Sequence, residues 1–160
     1  MNSPPRRIPV LTVQRPWAAL LFWGDDGKPI DNRSWSTRYR GPMLIHAGRV
    51  WDRTALAIAG QVAELPGFDW HEAAHPVGII GVVDLVDVCI RDHTTNRRKG
   101  VPASCCGPWS WRGFNHWHRE DPEPFRAPIP AAGKQGLWYP DGPVAESVAL
   151  ELARIEEVYA

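Results

Sequence analysis

Gly78-Ile79-Ile80-Gly81-Val82-Val83-Asp84-Leu85-Val86-Asp87-Val88 is the stretch that decides the fold. Aliphatic and β-branched residues fill it, broken only by two glycines and two aspartates. Such side chains suit pleated backbone, and a near-continuous apolar run implies a strand covered on both faces. The stretch is therefore predicted to be the central strand of a sheet.

Shorter elements are predicted on either side. Toward the N-terminus, Ile8 to Val13 reads as a strand. Pro16 suits the first position of a short buried helix running through Trp17 to Trp23 and ended by Gly24, with a turn at Asp25-Asp26-Gly27. Strands are expected at Ile30 to Trp35 and Pro42 to Ala47. Asp52 should then cap a helix over 53–64 that Pro66-Gly67 ends. Toward the C-terminus, Arg91 to Pro108 is polar and reads as a long surface loop around Arg97-Arg98-Lys99. Strands are expected at Asn115 to Glu120 and Gly136 to Tyr139, with a proline-broken connection between them. After Gly142-Pro143, the residues Val144, Val148, Leu152, Ile155 and Tyr159 form one apolar stripe on a helix spanning 144–159. Several short strands and two or three helices predict a mixed α/β fold, a small barrel in a single domain over 8–160 behind a loose tail at 1–7.

Composition narrows the function. At 160 residues the chain fits one domain, and 44% hydrophobic residues can furnish a core. Eighteen basic and eighteen acidic side chains cancel, which argues against a polybasic duplex-DNA binder. Three cysteines are too few for a disulfide framework, so a reducing, cytoplasmic setting is expected. No window is apolar enough to span a bilayer. Nine tryptophans are conspicuous, since Trp serves both as core filler and as a stacking surface for bases.

Four blocks occur in order: Val13-Gln14-Arg15-Pro16-Trp17-Ala18, Lys28-Pro29-Ile30-Asp31-Asn32-Arg33-Ser34-Trp35, Thr37-Arg38-Tyr39-Arg40-Gly41-Pro42 and Leu44-Ile45-His46-Ala47. Together they resemble the ASCH domain family, whose signature is Gly-x-Lys-x-x-Glu-x-Arg; Asp31 stands at the signature glutamate. The resemblance runs from about Val10 to Trp138. It implies a PUA-like β-barrel with flanking helices and a role in RNA metabolism. On that basis the expected partner is RNA or single-stranded nucleic acid, or a modified nucleoside, with no cofactor. The expected site is the cleft between the first helix and the signature loop, formed by Gln14, Arg15, Trp17, Lys28, Asp31, Asn32, Arg33, Trp35, Arg38, Tyr39 and Arg40.

The residues themselves support such chemistry. Lys28 and Arg33 can donate to phosphate or carbonyl oxygens, and Asp31 can accept from a base amino group. In an extended segment Asp31 and Arg33 share a face and Asn32 points away. An internal ion pair is the competing reading for Arg33. Lys28 is expected to stay charged, paired with Asp31 or with ligand.

The resemblance also implies a second class, a small hydrolase acting on acylated cytidine or RNA. There Asp31 would serve as general base and Lys28 would polarise the carbonyl, with Asp84 or Asp87 as a further carboxylate. Other motifs carry less. His71-Glu72-Ala73-Ala74-His75 matches a zinc-protease pattern, but Pro76 would stop its helix at once. Cys105-Cys106 with His116 and His118 lacks a Cys-x-x-Cys pair, so no metal ligand is assigned.

Overall fold

The computed structural model describes residues 7–22, 29–62, 69, 77–90 and 97–160. Several expectations lie outside them: most of the N-terminal tail, Trp23-Gly24 and the turn after it, Lys28, Pro66-Gly67 and the His71 to His75 motif.

In chain order the elements are β1 (Val10–Arg15), α1 (Trp17–Leu20), β2 (Ile30–Arg33), β3 (Gly41–Trp51), α2 (Ala55–Val62), β4 (Gly78–Cys89), β5 (Arg98–Pro102), β6 (Trp111–Arg112), β7 (Asn115–Ile129), β8 (Leu137–Trp138) and α3 (Gly142–Tyr159). Six strands form one curled sheet in the order β2-β7-β4-β3-β1-β8. It is a half-barrel whose edges, β2 and β8, do not meet. β1 runs parallel to β3, and the remaining pairings are antiparallel. β5 and β6 form a separate ribbon. Among the described residues, no helix is long and apolar enough to cross a membrane.

The central position of β4 follows from burial on both faces. Ile80, Val83 and Leu85 enter a core that also takes Leu11, Val13, Met43, Ile45 and several tryptophans beneath α1 and α2. Ile79 enters a second core with Val10, Leu44, Phe125, Ile129 and Trp138, beneath α3. Adjacent residues therefore bury on opposite faces, as period-two backbone requires. Trp17, Trp109, Trp111, Trp117 and Trp138 are buried, so core filling accounts for much of the tryptophan excess.

α3 forms as its stripe predicts, with Pro143 in the first turn. Val148 is buried, and Val144, Leu152 and Ile155 pack beside it. Tyr159 departs from the expectation: it is 70% exposed, with its hydroxyl at Glu123 of β7.

Three further expectations are corrected. The loop expected across Arg91 to Pro108 contains a strand, β5. The helix expected from Pro16 through Trp23 is regular only over Trp17–Leu20 among the described residues. β7 continues from Asn115 straight through Pro122, Pro124 and Pro128 to Ile129. Prolines are tolerated there because β2 covers only Asn115 to His118, so beyond that point β7 is an edge strand. Its register against β4 slips around Asp121, which takes φ 46°. That conformation marks a bulge.

Candidate nucleic-acid interface

Two clefts meet where β1 and β2 come together, and Gln14 and Arg33 line both. The smaller, about 240 Å³, is bounded by Trp17, Asp31, Asn32, Asp52, Lys99, Trp111 and Phe114 as well. Its aromatic wall is interlocked: Trp17 and Trp111 meet edge to face at 5.5 Å, as do Trp111 and Phe114 at 5.6 Å. Such edge-to-face contacts fix ring positions.

Two ion pairs supply its polar groups. Arg33 Nε donates to Asp31 Oδ2 at 2.6 Å, and Arg33 also donates to the Thr12 carbonyl at 2.7 Å. The internal-pair reading of Arg33 is therefore part of the structure, and Arg33 still lines both clefts. Lys99 Nζ lies 2.5 Å from Asp52 Oδ2 and 6.0 Å from the Trp111 ring centre. Asp52 Oδ2 also accepts from Trp17 Nε1 at 2.7 Å, while Oδ1 accepts from the Thr54 N–H and hydroxyl. α2 begins only at Ala55, so Asp52, expected as its cap, instead holds the turn at Thr54 that leads into it and braces the cleft. Burial pushes the Asp52 carboxyl up, but the bonds from Lys99, Thr54 and Trp17 outweigh it and hold the group at about 2.

This arrangement makes a testable claim about Asp52. The folded carboxyl sits below its ordinary 3.8, so the interaction stabilises the fold above that value and is lost as pH falls toward 2. Asp52→Ala removes its bonds to Thr54, Trp17 and Lys99, for a cost of about 2 kcal/mol at neutral pH. Urea unfolding at pH 7 and pH 3 should show a smaller gap between wild type and variant at the lower value.

The larger cleft, about 1020 Å³, runs from Trp35 along β1 and β3 to the segment Ala131 to Gly136. Arg33, Arg49 and Lys134 line it, and no acidic side chain does so among the described residues. Its floor holds His46, 2% exposed, whose Nε2 faces the Ala131 carbonyl at 2.7 Å. A carbonyl only accepts, so Nε2 carries the proton, and Nδ1 is a buried acceptor without a partner among the described residues. Burial lowers the His46 pKa and keeps the ring neutral. Gly133 passes so close that a Cβ there would stand 2.9 Å from His46 Cε1.

The predicted site residues therefore divide. Gln14, Trp17, Asp31, Asn32, Arg33 and Trp35 come together at the clefts. Arg15 binds the Gly48 and Arg49 carbonyls and so fixes β3. The Tyr39 hydroxyl donates to the Pro42 carbonyl, Arg40 bonds to nearby carbonyls and pairs with Asp87, and Arg38 is exposed; none of the three lines a cleft. Asp84 and Asp87 likewise stand apart from both.

Sequence reading missed Asp52, Lys99, Trp111, His46, Arg49 and Lys134 as site residues. Lys99 was assigned to a solvated loop, and only the folding of β5 beside α2 gives it Asp52.

A second cluster lies behind the aromatic wall. Cys89 ends β4, Cys105 and Cys106 sit in the β5–β6 loop, and His116 opens β7 directly opposite Cys89. One donor atom from each lies within 4.8 Å of the others. Burial, followed by the neighbouring thiols, pushes Cys106 up, and burial raises Cys105. His118 Nε2 stands 3.3 Å from Cys106 Sγ, and burial lowers its pKa.

No family model matches the sequence, and no curated protein is significantly similar to it.

Proposed function

We propose that this chain is an ASCH-type, PUA-like domain that binds RNA or another single-stranded nucleic acid. One base, a modified base included, enters the small aromatic cleft while the phosphates follow the larger one. The observation that carries this reading is the junction of the two clefts at Gln14 and Arg33. On one side are aromatic faces with both carboxylates and cations, a set able to meet the amino and carbonyl edges of a base. On the other are three cations with no acid in the lining, suited to phosphate. The order of the four motif blocks and the curled sheet accord with the family resemblance, and the free thiols accord with a cytoplasmic setting.

The hydrolase reading is less favoured. It requires Asp31 as a base acting with Lys28, and Asp31 is committed to Arg33 at 2.6 Å. Asp52, held at about 2, is a poor proton acceptor at neutral pH.

Fluorescence anisotropy with short RNA and single-stranded DNA oligomers tests the proposal. Arg49→Ala combined with Lys134→Ala should weaken binding across all sequences and flatten the salt dependence by roughly two counterions. Gln14→Ala should instead change base preference. Unaltered affinity in both variants would sink the assignment.

A further inference from the structure

We propose that Cys89, Cys105, Cys106 and His116 form a structural zinc site that locks the wall of the small cleft.

The spacing fits a single tetrahedral ion. With Zn–S of about 2.3 Å and Zn–N of about 2.0 Å, tetrahedral angles put neighbouring donor atoms roughly 3.4 to 3.8 Å apart. Cys89 Sγ to Cys105 Sγ is 3.8 Å, and Cys105 Sγ to His116 Nδ1 is 3.4 Å. At that separation Cys89 and Cys105 are free thiols, not a disulfide. All four donors lie within 4.8 Å, too tight a set to surround a polynuclear iron–sulfur core. Soft thiolates with one imidazole select zinc among the common divalent ions, and four protein ligands leave no open position for catalysis.

The histidine is arranged for the task. His116 Nε2 lies 2.8 Å from the Trp111 carbonyl, which can only accept, so Nε2 carries the hydrogen and Nδ1 presents its lone pair to the thiols. A ligating histidine fixed through its other ring nitrogen by a carbonyl is the usual second layer of a zinc centre. His118 supplies another part of that layer. Three thiolates and a neutral imidazole around Zn²⁺ carry one net negative charge, and an N–H from His118 to Cys106 sulfur offsets it. Metal binding displaces three thiol protons to solvent and leaves the zinc oxidation state unchanged.

The site bears on the cleft through a continuous set of bonds. His116 holds the Trp111 carbonyl, the Trp111 N–H donates to Asn32 Oδ1 at 2.8 Å, and Asn32 Nδ2 donates to the Trp109 carbonyl at 3.0 Å. Zinc therefore fastens the β5–β6 loop to the start of β7 at the point where Trp111 enters the aromatic wall.

The full-length protein, purified without a metal-affinity tag from zinc-supplemented culture, should contain one zinc per chain by elemental analysis. Reconstitution with Co²⁺ should give the intense visible bands of tetrahedral cobalt together with thiolate charge-transfer absorption. Cys105→Ser should reduce that charge transfer toward two-thiolate intensity. His116→Cys should retain a tetrahedral spectrum, which guards against misreading a variant that fails to fold. His118→Ala should keep the ion and lower its affinity about 10- to 100-fold. A chelator should lower the melting temperature and change tryptophan emission. Wild-type protein that gives no thiolate-to-cobalt band and melts identically with zinc and with chelator would overturn the proposal. So would a Cys89–Cys105 disulfide in freshly purified protein, or a cobalt spectrum that survives Cys89→Ser with Cys105→Ser. None of these measurements depends on nucleic-acid binding.

Discussion

Val148→Asp is expected to cost about 4 kcal/mol and to leave the chain partly unfolded at physiological temperature. Val148 is 5% exposed in the second core, among Val10, Leu44, Ile79, Phe125, Ile129 and Trp138. These neighbours form an apolar cluster, so a carboxylate placed there would be stripped of water. Its uncompensated desolvation dominates the cost. Val148→Ala removes only two methyl groups and should cost about 1.5 kcal/mol, mostly through the space left behind. Tyr159→Asp, on the same stripe but 70% exposed, should cost far less, losing mainly its contact with Glu123. Denaturant midpoints for the three variants check this ordering. Equal losses for Val148→Asp and Tyr159→Asp would mean that α3 does not dock as described.

Gly78→Ala should be nearly as damaging, at about 3 kcal/mol. Gly78 has φ +126°, where an L side chain is strained, and an added Cβ would collide with the Ile129 carbonyl oxygen. The obstacle is backbone and cannot turn aside as a side chain would. Relief requires β7 to move away from β4 just before Ala131 to Gly136, the segment that lines the larger cleft. The variant should therefore lose oligonucleotide affinity as well as stability. Gly60→Ala, in α2 with open space around it, is the control and should be neutral or mildly stabilising. Thermal melts and anisotropy on both proteins make the comparison.

What could be read from the sequence follows the range of the forces involved. β1, β3, β4 and α3 announce themselves through local periodicity, because each buries faces that its own residues define. The loss of a predicted break at Pro122, Pro124 and Pro128 has the opposite cause. Proline forbids a donor, but whether a donor is needed depends on where β2 stops.

The site divides in the same way. The signature block brought Asp31, Asn32 and Arg33 to notice, and the fold places them at the clefts. Lys99 and Asp52 lie 47 positions apart in the chain and meet only once β5 has formed. Cys89 was overlooked as a partner of Cys105 and Cys106 for a related reason. Cys89 and Cys105 stand sixteen positions apart, no compact ligand spacing, and the register of β4 against β7 sets Cys89 opposite His116.

The prolines of β7 bear on how the molecule behaves in a crowd. An incompletely closed sheet offers its rims to other polypeptides, and unblocked rims seed fibrils. On one side of this sheet the outer half of β7 has no amide hydrogen at residues 122, 124 and 128, so its backbone has fewer donors to offer another chain. On the other side, β8 is two residues long and gives little purchase. The same open architecture that leaves the clefts accessible thus offers a second chain little continuous rim to pair with.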